Sequence, residues 1–216
     1  MFRMKTEKEL LRRELKKRLS TISQAHKSRL SQEACALFLQ NIQLNEFDVL
    51  LSYADMKSEL SPGLITLRAR ELHKSVALPK TVPGTHEMNF YFLSDSQPVE
   101  SQLKKGAFGI REPNGSQETL FDAETYAGKS ICAIVPGIAF GKDGGRLGHG
   151  NGFYDRYLLR LKKQCAFQGS RLFLAGMCFG FQLRETVPME ETDACMDAVI
   201  CENQFIQLKA VSLHQT

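Results

Sequence analysis

The chain predicts an α/β fold in which a mostly parallel sheet is covered by helices, and three features of the sequence predict it. Short apolar runs alternate with amphipathic stretches along most of the length; each run is short enough for a buried strand; and Pro or Gly marks several of the boundaries. Leu10, Leu11, Leu15, Leu19 and Ile22 recur at helical spacing, as do Leu30, Ala34, Leu37 and Phe38, so the chain opens with two helices. Phe47–Leu51 reads as a buried strand, and Ser61-Pro62 as the cap and first turn of a helix through about Leu72. Ser75–Leu78 is a strand stopped by Pro79, and Asn89–Leu93 is another. Ser94–Glu124 is rich in turn formers around Phe108-Gly109-Ile110-Arg111-Glu112-Pro113. Ile131–Val135 is a strand ended by Pro136-Gly137, Phe153–Leu161 a helix, and Leu172–Cys178 and Ala198–Cys201 later strands. With no internal repeat or low-complexity linker, residues 1–216 are expected to form a single domain.

Composition excludes several function classes. A hydrophobic content of 43% with 24% charged residues is that of a globular chain, not a disordered or fibrous one. The net charge is only +4, and the cations concentrated before residue 30 are interleaved with Glu7, Glu9 and Glu14, as on a solvated helix face. No nucleic-acid-binding motif accompanies them, so nucleic acid is not an expected partner. The cysteines at 35, 132, 165, 178, 195 and 201 have no C-x-x-C spacing and read as reduced core thiols. The first residues lack a signal-peptide run and no stretch reaches membrane-spanning length, so a cytoplasmic setting without membrane attachment is expected. No heptad or conspicuous apolar face calls for a second subunit, and a monomer is expected.

One segment carries chemistry. Val135-Pro136-Gly137-Ile138-Ala139-Phe140 is followed by Gly144-Gly145-Arg146-Leu147-Gly148-His149-Gly150-Asn151-Gly152-Phe153-Tyr154-Asp155. It leaves a strand and enters a helix. Glycines at 148, 150 and 152 free the backbone of Cβ atoms at alternate positions, so N–H groups can approach an anion, and the helix start adds a favourable dipole. Arg146 offers a planar fork to phosphate oxygens, and Asp155 lies where a carboxylate could hold Mg2+ bridging phosphates. The spacing is neither the G-x-G-x-x-G of dinucleotide folds nor a G-x-x-x-x-G-K-[ST] loop.

These residues resemble the signature of the 5-formyltetrahydrofolate cyclo-ligases. Lys8-x-x-Leu11-Arg12, Ser58-Glu59, Met88-x-Phe90, Gly109-Ile110-x-Glu112-Pro113, Asp193 and Asp197 extend the likeness in order along the chain. Gly141, where the family usually has Asp, His149 and Phe153 depart from it. The resemblance implies a fold like that of the NagB/RpiA/CoA-transferase proteins. It also implies the reaction: 5-formyltetrahydrofolate and ATP give 5,10-methenyltetrahydrofolate, ADP and phosphate, through phosphorylation of the formyl oxygen and attack by N10.

The same resemblance implies roles. ATP would be held by Lys8, Arg12, Arg146, Leu147, Gly148, His149, Gly150, Asn151, Gly152, Phe153 and Tyr154, with Arg146 also catalytic through its charge on the transferring phosphoryl group. Folate would be held by Glu59, His149, Gly150, Asn151, Gly152 and Phe153, the Glu59 carboxylate accepting from the pterin amino group and adjacent ring N–H. Asp155 and Asp193 would be ligands of Mg2+. The expected partners are therefore folate and ATP. Two other readings remain open: a nucleotide- or folate-binding module without turnover, and a related enzyme acting on another heterocycle, for which Gly141 and His149 leave room.

Overall fold

The computed structural model describes residues 2–106, 109–190 and 193–209; Phe108 lies outside them. The two opening helices are α1 (Phe2–Thr21) and α2 (Gln24–Asn41), and α2 starts where the Ser23 hydroxyl accepts from the His26 N–H. Then come β1 (Val49–Leu51), α3 (Gly63–Glu71), β2 (Ser75–Thr81) and β3 (Met88–Phe92). A hairpin of β4 (Leu103–Lys105) and β5 (Arg111–Pro113) precedes β6 (Ser130–Pro136), β7 (Ala139–Gly141) and β8 (Arg146–Leu147). The last elements are α4 (Phe153–Phe167), β9 (Arg171–Met177), β10 (Leu183–Arg184), β11 (Ala198–Cys201) and β12 (Gln204–Gln207).

The described strands of the main sheet are ordered β12-β11-β9-β6-β1-β2-β3. From β11 to β2 every pairing is parallel, and the antiparallel β12 and β3 form the two edges. Alternation along β6 shows how the faces are filled: Cys132 and Ile134 pack with Leu30, Phe38 and Ile65 of α2 and α3, while Ile131, Ala133 and Val135 pack with Tyr157, Leu158 and Leu161 of α4. Burial of each of the Leu, Ile, Val and Phe side chains contributes about 1.5–3 kcal/mol.

Pro79 does not stop β2 as the sequence suggested. The Val76 carbonyl accepts from Leu93 N–H on the β3 side and the Ala77 carbonyl from Ser52 N–H on the β1 side. Alternation turns the Pro79 nitrogen toward the β1 side, beyond the end of β1, where no ladder donor is needed. Two core assignments also change. Leu10 is 50% exposed, whereas Leu15 and Leu19 carry the buried stripe of α1. Cys195 is exposed, while the other five cysteines are buried free thiols, as read.

Outside the main sheet, β7 pairs with β8 and with β10. Leu15 of α1 packs on this small sheet with Ile138, Ala139, Leu147 and Val187. That contact fixes the helix carrying Lys8 and Arg12 over the strand carrying Arg146. Phe140 of β7 anchors the small sheet to the large one, since its ring lies 2.8 Å from where a Cβ on Gly137 would stand and would overlap one on Gly176.

Candidate active site

Connections leave β1 and β6 in opposite directions, the first leading through α3 to β2 and the second through α4 to β9. At such a switch point the strand ends part and open a crevice. Residues 52–62 leave β1 and residues 137–152 leave β6, and both segments line that crevice with α4. Two cavities occupy it. A polar one of about 690 Å³ is lined by Lys5, Lys8, Arg12, the Arg146–Gly148 strand end, Gly150, Asp155 and Asp193. A more apolar one of about 210 Å³ lies between Tyr53, Met56, Glu59, Pro79, Met88, Ile110, Phe153 and Tyr154. Arg146, Gly148 and Asp155 line both.

The glycine segment adopts backbone that side chains disfavour: Gly150 has φ 107° and Gly152, which caps α4, has φ 70°. Arg12 donates through Nε to the Gly148 carbonyl at 2.9 Å, and a Cβ on Gly150 would stand 3.6 Å from its guanidinium carbon. The remaining Arg12 nitrogens have no hydrogen-bond partner among the described residues. Arg146 is 3% exposed; its fork donates to the Pro136 carbonyl at 3.2 Å and to Asp155 Oδ1, and its Nε has no partner among the described residues. The ring of Tyr154 lies 5.7 Å from the guanidinium carbon.

Lys8 is buried and donates to Asp193 at 2.9 Å and Glu190 at 3.1 Å. Burial acts to lower its pKa, but the hydrogen bonds to Asp193 and Glu190 and their charges outweigh it and raise the value above 10.5. A raised folded value means that the ammonium's contribution to stability is complete below 10.5 and is lost as pH climbs through the folded pKa. Both proposed metal-binding acids are thus salt-bridged, Asp155 to Arg146 and Asp193 to Lys8. Among the described residues no group of three or more His, Cys, Asp or Glu converges to hold a metal. Asp155 Oδ2 and Asp193 Oδ1 have no hydrogen-bond partner among the described residues. That donor set fits a cation held mainly by phosphate and water, not a protein cage.

On the other side of the shared wall, Glu59 Oε1 meets His149 Nε2 at 3.1 Å, and Oε2 accepts from Met56 N–H at 2.9 Å. This contact bridges the two loops across the crevice. Burial, with the Glu59 charge adding to it, pushes the Tyr154 hydroxyl far up, so it stays protonated, and it has no hydrogen-bond partner among the described residues. Asn151 is exposed, and its carbonyl accepts from Arg156 at 2.6 Å. Asp197, the other late aspartate, lies elsewhere: buried, it accepts from Leu174 N–H at 2.8 Å and pairs with Lys209, so it clips β9 to the loop before β11.

Apart from Asp197, the proposed site residues gather around one crevice, with contacts that spacing alone does not show. Missed was Glu112, 6% exposed in the wall of the smaller cavity, whose Oε1 accepts from Thr81 N–H at 3.1 Å and Thr81 Oγ1 at 2.6 Å. The sequence signal was present in the run Gly109-Ile110-x-Glu112-Pro113, but it carried no hint of a partner at Thr81.

A parallel sheet whose switch point joins a cation-flanked glycine loop to an apolar pocket defines an α/β enzyme that works on two small-molecule substrates. Comparison with known proteins makes that class specific. Residues 4–202 match the 5-formyltetrahydrofolate cyclo-ligase family. A probable 5-formyltetrahydrofolate cyclo-ligase of Caenorhabditis elegans is 29% identical over 95% of this chain and 98% of its own length. A counterpart in Schizosaccharomyces pombe is 34% identical over 62% of this chain and 64% of its own. The NMR structure of Aquifex aeolicus 5,10-methenyltetrahydrofolate synthetase superposes with a TM-score of 0.73 at 26% identity, covering 96% of each chain. The chain belongs to the 5-formyltetrahydrofolate cyclo-ligase family, whose reaction converts 5-formyltetrahydrofolate to 5,10-methenyltetrahydrofolate with ATP as co-substrate.

Proposed function

We propose that this cyclo-ligase works by passing the γ-phosphoryl group of ATP across the wall that its two cavities share. The observation that carries the reading is that Arg146, Gly148 and Asp155 face both cavities at once. ATP occupies the larger cavity, its phosphates against the backbone of Leu147–Gly152 and the start of α4 at Phe153 and Tyr154, where the glycine backbone and the helix dipole favour an anion. Lys8 and Arg12, four residues apart on α1, add positive charge. The reduced pterin occupies the smaller cavity, whose volume is below the ~300–1,000 Å³ usual for a ligand pocket, so His149 must part from Glu59 to admit it. Glu59 then accepts from the pterin amino group and ring N–H, while His149–Phe153 face the substrate.

The formyl oxygen attacks the γ-phosphorus and ADP leaves, which turns a poor electrophile into one bearing a phosphate leaving group. N10 attacks the formyl carbon and gives up its proton, the C–O bond breaks, and phosphate departs as the five-membered ring closes. The chain supplies alignment and charge, with Arg146 neutralising the transferring group. Mg2+, held by Asp155 and Asp193 directly or through water, would offset phosphate charge when bound.

Heavy-oxygen labelling tests the route: a formyl group carrying labelled oxygen should transfer that label to the released phosphate. Label retained in water or folate would overturn it. Absence of methenyl product with ATP binding intact would instead identify a binding module. Gly150→Ala is expected to weaken ATP binding about tenfold, because a side chain is strained at φ 107°; calorimetry checks this. The enzyme acts as a single-domain, cytoplasmic monomer in this reading, and light scattering on the purified chain tests its oligomeric state.

A further inference from the structure

Three carboxylates line the smaller cavity: Asp155, bonded to Arg146 on the shared wall, and Glu59 and Glu112, which are not in the same condition. Both oxygens of Glu59 are engaged, one by His149 and one by Met56 N–H. Glu112 reaches the cavity from β5, the second strand of the β4–β5 hairpin, and spends only Oε1, on the Thr81 backbone and hydroxyl. Its Oε2 has no hydrogen-bond partner among the described residues, and no cation pairs with the group there. The residue is only 6% exposed, yet Oε2 is not among the oxygens sealed away without a partner, so it stays open to donors supplied by water or a ligand. Glu112 forms part of the cavity wall, within reach of a ligand bound there. Gly106 packs directly against the group, and a Cβ there would overlap the Glu112 carboxylate. Around it the wall offers Pro79, Met88 and Ile110, none of which can hydrogen-bond through its side chain.

We infer that Glu112 is a second substrate-recognising carboxylate, whose Oε2 accepts from an N–H of the reduced pterin. The inference rests on the reading of the smaller cavity as the folate site. A reduced pterin is well matched to two acids, because its amino group, N3 and N8 all carry hydrogens along neighbouring edges, more donors than Glu59 alone can accept. Thr81 fixes the carboxylate through Oε1, so Oε2 is presented in one orientation and selects for a donor at one place on the ring. An oxidised or deaza ring lacking that donor would leave a buried charge unpaired, which is how such a site rejects analogues.

Glu112→Gln tests this with little change of shape, since the amide oxygen can keep both bonds from Thr81 while the cavity receives a donor in place of an acceptor. Calorimetry with 5-formyltetrahydrofolate alone should show binding weakened by roughly ten- to a hundredfold, the loss typical of a hydrogen bond to a charged group. ATP binding and the thermal midpoint should stay near wild type, and the kinetic loss should fall on KM more than on kcat. Gly106→Ala, which displaces the same carboxylate without altering it, should reproduce the folate defect and gives a second variant should the first fold poorly. If folate binds Glu112→Gln as tightly as wild type while Glu59→Gln weakens it, the cavity is the folate site and the role of Glu112 is refuted. If neither those substitutions nor a cavity-filling Ala54→Trp changes folate binding, the folate-site reading itself falls.

Discussion

Arg146→Ala is expected to lower turnover by about a hundredfold or more, the scale lost when a preorganised charge at a developing anion is removed. Arg146 is suited to that role because its strand, β8, is held from beneath by Leu15 and Phe140 and its guanidinium is oriented by Pro136 and Asp155. A fork fixed before substrate arrives needs little reorganisation during transfer. The effect should therefore appear in kcat, with a smaller change in ATP affinity. Arg146→Lys separates charge from geometry: a lysine keeps the charge but cannot donate to Pro136 and Asp155 in the same plane, so it should recover only part of the rate. Thermal unfolding must accompany the kinetics, since loss of a buried ion-pair partner also destabilises. Wild-type turnover in a folded Arg146→Ala protein would remove this residue from the mechanism.

The largest effect on stability is expected for Phe140→Ala, which should lower the unfolding free energy by about 3–5 kcal/mol, read from the denaturant midpoint. Phe140 is fully buried, and its ring lies against Gly137 and Gly176, neither of which could carry a side chain without displacing it. Removing the ring leaves a void that two glycines cannot fill. The same vacancy lies under β7 and β8, so residual activity at low temperature should fall further than the folded fraction. Phe140→Leu, which restores part of the volume, should cost much less. Equal losses for the two variants would mean that the ring is not the anchor described.

Much of the fold was legible because its core strands are nearly continuous apolar runs, as buried parallel strands must be. Ile131–Val135 and Leu172–Cys178 fall within a residue or so of β6 and β9. Pro79 misled because its effect depends on which neighbour the nitrogen faces, set by alternation along β2, and on whether that neighbour extends so far, set by the length of β1. The strands β7, β8 and β10 are two or three residues long, too short for periodicity to register, and β12 is half exposed and polar at its ends. The motif Pro136-Gly137-x-x-Phe140 was read as a strand ending, whereas its glycine makes room for the phenylalanine ring three residues on.

The active-site residues were legible by type and by resemblance, but their pairing was not. Arg146 and Asp155 looked like separate ligands of phosphate and metal, and they are bonded to each other; Lys8 and Asp193 likewise. Glu59 and His149 are ninety residues apart and meet only because β1 and β6 are neighbours in the sheet. Local spacing cannot report such contacts, since they are created by strand order.

The common wall between the cavities has a thermodynamic consequence. A ligand on either side that shifts Arg146 or Asp155 alters the charge seen from the other, so occupancy of one compartment must change affinity in the other. Reciprocity then requires that the factor by which folate changes the dissociation constant of the nucleotide equal the factor by which the nucleotide changes that of folate.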